Sequence, residues 1–553
     1  MGSPSEKEST APEVALQSTN APEVVPLSDP EKQLAHEELT SVEGSEKNHN
    51  SATNGRYVDR AAELRLLRKF DLRLIPILFT CYLLSYIDRS NVGNAKIAGM
   101  QEELHFSADG NDYSWLLTIF YIAYILFECG TLMWKVVPPH IWGAAMVAGW
   151  GLISTLQAAA TSWSGMMALR FLLGAFEACF GPGIPFYLSF FYLRKELGWR
   201  IGLFLSAGPL GTCFAGALAY GITSGHVSIA NWRLLFLVEG LPCFVMAAVV
   251  YFFLPDSPTK ATFLNEEDMA VARSRDVLQV GGDDSTTSKR IGSIVWSDIL
   301  ASLLDVKVRT HQEFFFISLL CPSPFWQISD ANATGQNYIT AMMYFSCNVS
   351  FSSLPVFLPT ILTEMHFKPI DAQGLSAPPY FVSFIVVLAS TYFADRYGQR
   401  GFTVLALSLV GAIGYIVLAT TEATGPRYFG VYLAAAGIYP TIINILPWVL
   451  NNQGSDTKRG AGIAILNLIG QCGPLLGTRI YPATDKPYYR LGMWTCAAFM
   501  LFNGLLAITL RTLLVWENKK LDQKYGPVEK GADGKELATA GIENDGPNFR
   551  YIL

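Results

Sequence analysis

Charge is scarce in this chain. Only 16% of its 553 residues are Asp, Glu, Lys or Arg, against about 25% in a soluble globular protein. That excludes an ordinary water-soluble fold. Nucleotide-gripping and hydrolytic signatures are absent too: there is no P-loop, no GxSxG and no HExxH. Neither ATP-driven transport nor hydrolysis is supported, and no enzyme activity, cofactor or metal is expected. The nine cysteines have no paired spacing and fall mostly inside apolar runs, so they read as small hydrophobes rather than disulfides or metal ligands. Residues 1–55 mix Glu, Ser, Pro, Thr and Asn without periodicity and carry no signal-peptide core. They are expected to be disordered, leaving the first membrane helix as its own targeting signal. The net charge of −6 is dominated by acidic tails and gives no reason to expect a nucleic-acid partner.

What the chain does have is apolar sequence, 51% of it, with a mean hydropathy of +0.28. Runs of about 20 residues, each enough to cross roughly 30 Å of hydrocarbon, occur near 72–94, 112–134, 141–160, 165–190, 200–224 and 232–254. Six more follow near 338–362, 375–394, 401–420, 428–449, 460–481 and 492–515. The pattern predicts an all-α membrane protein of twelve transmembrane helices in two six-helix bundles, the internal duplication of a secondary transporter. The expected organisation is a cytoplasmic tail (1–57), an N-terminal bundle (58–256), a linker (257–336), a C-terminal bundle (337–516) and a second tail (517–553). Basic residues set the orientation. Arg60 to Arg73, Arg194 to Arg200, Arg396 with Arg400, Lys458 with Arg459, and Lys519 with Lys520 all fall on one side of a twelve-span chain. By the positive-inside rule both termini and the linker are cytoplasmic. A monomer in the plasma membrane is the expected form.

Four charges interrupt this apolar background. Asp88 and Arg89 lie near the end of the first span, and Arg170 and Glu177 lie in the fourth. A charge at the bilayer centre costs roughly 2.5–3.5 kcal/mol on insertion scales, so such residues usually face a cavity and serve an ion, a proton or a substrate. Arg170 and Glu177 are seven apart, two turns along nearly one helix face, with Gly174 and Gly181 on that face. They fit either a structural inward salt bridge or a proton-coupling carboxylate whose charge burial opposes and the arginine favours. Adjacent Asp88 and Arg89 point about 100° apart, so one is free for the cavity and the other for a partner helix; capping the span at the interface is the plainer reading. A guanidinium matches a carboxylate in bidentate geometry. In the second half, Asn348, Tyr439 and Asn444 are polar groups at membrane depth, suited either to a substrate or to interhelical hydrogen bonds.

The stretches Tyr86–Ile97, Arg170–Phe204, Asn231–Pro242, Phe253–Asp268 and Gly374–Tyr380, with Tyr439-Pro440 to Asn451-Asn452, resemble the fungal allantoate-permease-like group. That group is part of the anion:cation symporter branch of the major facilitator superfamily. The resemblance covers roughly 58–307 and 337–515. It implies a proton-coupled symporter for a small organic anion such as allantoate, ureidosuccinate or a vitamin carboxylate. It also implies proton coupling by Asp88 and Glu177, and substrate binding by Arg89 and Arg170; Asn348, Tyr439 and Asn444 are substrate-binding candidates by their polarity at membrane depth alone. Asp395, Arg396 and Arg400 resemble the superfamily's gating loop. The first-half counterpart departs from the pattern: Phe127-Glu128-Cys129-Gly130 lacks the usual proline. Export of an organic acid or secondary metabolite, and a nutrient receptor that does not transport, remain alternatives.

One stretch fits none of this. Val308 to Gln336 has an apolar core, Phe314 to Trp326, too short to span a bilayer and broken by two prolines. It reads as a re-entrant or interfacial segment, a regulatory insertion, or an intron retained in frame. Its 29 residues correspond to 87 nucleotides, a whole number of codons. Val308-Arg309 is compatible with a donor site, Ala331-Asn332 with a fungal branch point and Gln336 with an acceptor. Its deletion would join Lys307 to Asn337.

Overall fold

A computed structural model describes residues 60–107, 110–225, 228–280, 332–452, 463, 465–527 and 550–553. The N-terminal tail, the basic pair Lys458 and Arg459, and the core of the 308–336 segment lie outside the described residues.

The described residues are helical throughout, with no strand. Ten helices are long and apolar enough to cross a membrane. In chain order these are α1 (Ala61–Glu103), α2 (Asn111–Val136), α4 (Trp163–Leu188), α5 (Glu196–Thr223) and α6 (Asn231–Phe253). In the second half they are α7 (Gln336–Glu364), α8 (Pro369–Tyr397), α9 (Arg400–Thr420), α10 (Thr424–Asn451) and α12 (Arg490–Tyr525). Two further helices fill the third and eleventh expected positions: α3 (Pro139–Gln157, 19 residues) and the shorter α11 (Ile465–Gly477). Composition explains why α3 falls outside the ten. Its glycines, His140 and Gln157 lower its hydropathy, while it packs against α4 and α6 on one face.

Within the first half α3 packs on α6, α2 on α4, and α1 on α5 and α6. In the second half α9 packs on α10 and α12, and α7 on α11 and α12. Small residues permit the closest approaches. A Cβ at Gly174 would lie 2.3 Å from the carbonyl oxygen of Phe120 on α2.

The two halves meet along several seams, α5 with α10 among them. α1 meets α7, where a Cβ at Gly93 would lie 2.6 Å from the Val356 carbonyl. The Tyr113 hydroxyl donates to that same carbonyl at 3.0 Å. α2 meets α11 through Thr118 and Thr478, whose hydroxyls are 2.9 Å apart. α5 meets α8, where Thr223 donates to Gln373 at 2.6 Å. These contacts lie toward the face away from the start of α1, and they close the bundle there.

On the opposite face, where α1 begins and α12 ends, the expected polar linker contains structure. Glu266–Val280 forms a helix that docks on the start of α1 by charge. Lys69 pairs with Asp268, and buried Arg275 bridges Glu63 at 2.6 Å and Glu196 at 2.5 Å. Residues 550–553 also return to this face. Asn452 and Ile552 exchange hydrogen bonds of 3.0 and 2.8 Å, and Asn518 and Tyr551 exchange bonds of 2.9 and 2.8 Å. The Trp448 indole donates to the Ile552 carbonyl at 3.0 Å, and the Gly401 amide donates to Leu553 at 3.3 Å.

Candidate functional site

A small cavity lies between the halves. α1, α2, α4 and α5 wall it on one side, and α7, α10 and α11 on the other. Six tyrosines line it: Tyr82, Tyr86, Tyr121, Tyr124, Tyr344 and Tyr439. Arg89 is the one charged residue of the lining among the described residues.

Arg89 is held from two directions. Its Nη2 donates to Glu177 Oε2 at 2.6 Å, a charge-assisted bond of the strong kind. Its guanidinium carbon lies 4.9, 5.1 and 5.3 Å from the ring centres of Tyr86, Phe120 and Tyr124, within cation–π range. Glu177 Oε2 also accepts from Ser85 at 2.9 Å, while its Oε1 has no partner. The Glu177 side chain is 0% exposed and that of Arg89 is 15%. The guanidinium therefore reaches the cavity and the carboxylate stands behind it.

Asp88 points elsewhere, as adjacent helical residues must. Its Oδ1 accepts from Ser154 of α3 at 2.7 Å, and its Oδ2 is unpartnered. Arg170 does not pair with Glu177. It sits 5.6 Å from the Phe236 ring of α6, 2% exposed, with Nε and Nη2 unpartnered. It is not among the cavity-lining residues. Of the four charges expected at the site, the structure thus brings Arg89 and Glu177 together and places Asp88 and Arg170 inside the first-half bundle.

The second-half residues divide similarly. Asn348 lines the cavity while donating to the Gly470 carbonyl at 3.0 Å. Tyr439 lines it with its hydroxyl 3.4 Å from that of Thr212 on α5. Asn444 is not in the lining: it donates to Ser390 of α8 at 3.2 Å and to the Pro440 carbonyl at 2.8 Å. The latter bond occupies a carbonyl within a helix that proline distorts.

At the other end of α8, Asp395 pairs with Arg400, which is 1% exposed, whereas Arg396 is exposed. Gly198 at the start of α5 abuts this pair from the other half. A Cβ there would lie 2.5 Å from Arg400 Nη2 and 3.0 Å from Asp395 Oδ1. In the first half, after Phe127, the helix tightens to a 3-10 turn over Glu128–Leu132.

Sequence reasoning passed over Glu239 on α6, which is 2% exposed, with both carboxyl oxygens unpartnered. It also passed over Gln157, fully buried with both amide atoms unpartnered. For Glu239 the available signal was the same one that singled out the other four, an ionisable side chain at membrane depth.

This architecture matches known proteins. The family model described as Major Facilitator Superfamily matches residues 78–478. The chain is similar to MFS transporter prlL of a fungal species, 32% identical over 487 residues, covering 85% of this chain and 90% of that protein. It is similar to the High-affinity nicotinic acid transporter of Saccharomyces cerevisiae, 29% identical over 493 residues, covering 89% and 85%. Among solved structures it resembles the proton:xylose symporter XylE bound to 6-bromo-6-deoxy-D-glucose. The TM-score is 0.56 at 13% identity, covering 85% of this chain and 98% of that one; at that identity the likeness concerns the fold. These relatives are transporters, not enzymes. A helical bundle with a cavity between its halves and a family match across most of its length leave one assignment: the chain belongs to the Major Facilitator Superfamily of multi-pass membrane transporters.

Proposed function

We propose that this transporter is a proton-coupled symporter of the fungal allantoate-permease-like branch, taking up a small organic anion at the plasma membrane with both termini cytoplasmic. The observation that carries the reading is Arg89. It is a single guanidinium presented to a tyrosine-walled cavity, held by a carboxylate that the cavity does not touch. Such a site favours one negative charge on a flat body that stacks on aromatic rings. Of the anions considered, nicotinate fits that description, and the similarity to a nicotinic acid transporter supports the monocarboxylate class.

Coupling follows from competition. An incoming carboxylate and Glu177 seek the same guanidinium. When the substrate takes it, Glu177 is left buried with only Ser85, and a buried carboxylate without its partner neutralises by taking a proton. One anion and one proton then cross together, so the loaded site carries no added charge. Asp88, beside Arg89 in sequence and bonded to Ser154, is the second proton-coupling group. Asn348 and Tyr439 contact the substrate from the opposite wall, and the Asp395–Arg400 pair opens and closes with rocking of the halves.

The test is growth of permease-deficient yeast expressing the chain on a panel of carboxylate nutrients. Labelled flux is then measured in vesicles under an imposed proton gradient. Inward accumulation driven by an inward gradient supports the proposal. Gradient-driven extrusion of substrate makes the protein an exporter instead, and binding without flux makes it a receptor.

A further inference from the structure

The cavity wall opposite Arg89 contains a broken helix. Pro474, near the end of α11, has no amide to give the Gly470 carbonyl, its partner in a regular helix. The ladder tightens just before it. The Cys472 amide donates to the Ile469 carbonyl at 3.1 Å, and residues 471–472 form a turn between two helical stretches. Asn348 of α7 supplies the missing donor, its Nδ2 lying 3.0 Å from the Gly470 carbonyl. Glycine lets the two helices close on that bond. A Cβ at Gly470 would lie 2.3 Å from the Tyr344 ring, and one at Gly473 would lie 2.5 Å from the Phe345 carbonyl oxygen. The glycine face of α11 is thus pressed on α7, and this fixes which residues around the break meet the cavity.

Those residues are two carboxamides. Asn467 and Gln471 are four apart, on one face of the helix, and both line the cavity that Arg89 enters from the other half. Asn467 is only 9% exposed, and neither side chain has a hydrogen-bond partner among the described residues. A carboxamide carries two donors and an acceptor oxygen, and burying one without partners costs free energy. Breaks in membrane helices are where secondary transporters build ligand sites. Charge narrows what this one can take. Arg89 is the one charged residue of the lining among the described residues, so a second carboxylate on the substrate would meet no counter-charge and be desolvated unpaired. A neutral hydrogen-bonding group would meet two amides.

We infer that Gln471 and Asn467 form a second recognition point, reading a neutral hydrogen-bonding group on a monocarboxylate whose charged end Arg89 holds. The substrate class is then a carboxylate whose body carries a ring nitrogen or an amide, in preference to a dicarboxylate or a plain aryl acid. The inference rests on the anion reading above and adds specificity to it, not coupling.

Nicotinate and benzoate are the probes. Both are flat aryl monocarboxylates, and only nicotinate has a ring nitrogen that accepts from a carboxamide. Calorimetric titration of the purified full-length protein at neutral pH is expected to show a preference for nicotinate of about tenfold, the worth of one hydrogen bond that benzoate leaves unmade. That preference is expected to fall toward one in Gln471→Met, which keeps the side-chain length without its hydrogen-bonding groups, and to shrink in Asn467→Leu. A merely structural role would weaken both anions alike and leave their ratio in place. Wild-type protein that binds the two equally, or a ratio that survives both substitutions, overturns the inference. The symport reading fails separately. A ratio that collapses in Gln471→Met while vesicles show no proton-driven accumulation keeps the recognition point and removes symport, whereas proton-driven uptake indifferent to the ring nitrogen does the reverse.

Discussion

Replacing Glu177 by Gln tests the competition for Arg89 directly. Glutamine keeps the shape, and its oxygen still accepts from Ser85 and from Arg89, which retains its three aromatic rings. What disappears is the negative charge a substrate must displace. A hydrogen bond to a charged group is worth about 1.5–3 kcal/mol, and each 1.4 kcal/mol is a factor of about ten in affinity. Glu177→Gln is therefore expected to bind a carboxylate roughly ten- to hundredfold more tightly at neutral pH. Exchange of substrate across the membrane should persist while proton-driven accumulation is lost. Calorimetric titration of detergent-purified protein with nicotinate between about pH 5 and 8, alongside vesicle uptake, measures both. If the variant binds with the wild-type affinity, Glu177 does not compete for Arg89 and the coupling scheme is wrong.

Two further outcomes are expected. Gly198→Val pushes a side chain into the Asp395–Arg400 pair; it should slow transport while leaving surface expression near normal, and wild-type turnover in this variant would remove Gly198 from the gate. The Glu266–Val280 helix should undock in acid. A hydrogen bond from Lys69 holds the Asp268 carboxyl below its ordinary value of 3.8. Its contribution is therefore full above about pH 4 and fades as pH falls through the lower, folded-state value. Limited proteolysis after that helix should rise below pH 4 in the wild type. Asp268→Asn should be cut readily at every pH, and an uncut variant would mean that the ion pair does not hold the helix.

Hydropathy made the architecture readable because lipid permits few spanning structures, and a run such as Leu234–Phe253 has no soluble alternative. α3 and α11 were visible for the same reason, although their composition is weaker. The divergence of Asp88 and Arg89 also followed from helix geometry alone. Which of the two meets the cavity did not, since it depends on the rotation of α1 against α3 and α4. The same ambiguity hid the role of Arg170. Its spacing from Glu177 puts the two side chains on nearly one face, yet Phe236 and Arg89 claim them separately. Asn444 looked equivalent to Asn348 because both are amides in apolar helices, and only packing reveals that Ser390 faces one and the cavity the other. Glu239 was legible by the rule that singled out the other four, since it is an ionisable side chain inside an apolar run, and only its lack of a partner needed the packing.

The return of residues 550–553 has a mechanical consequence. Main-chain groups of Tyr551 and Ile552 are stitched to amides at the ends of α10 and α12, and Leu553 to the first turn of α9. Three helix ends are thereby cross-braced by a strap that crosses none of the seams between the halves. Sliding among α9, α10 and α12 would tear several main-chain bonds at once, so these helices must travel as a block. The deformation of a working cycle is then forced onto the contacts between the halves, where single bonds such as Thr118–Thr478, Thr223–Gln373 and Thr212–Tyr439 can exchange one by one.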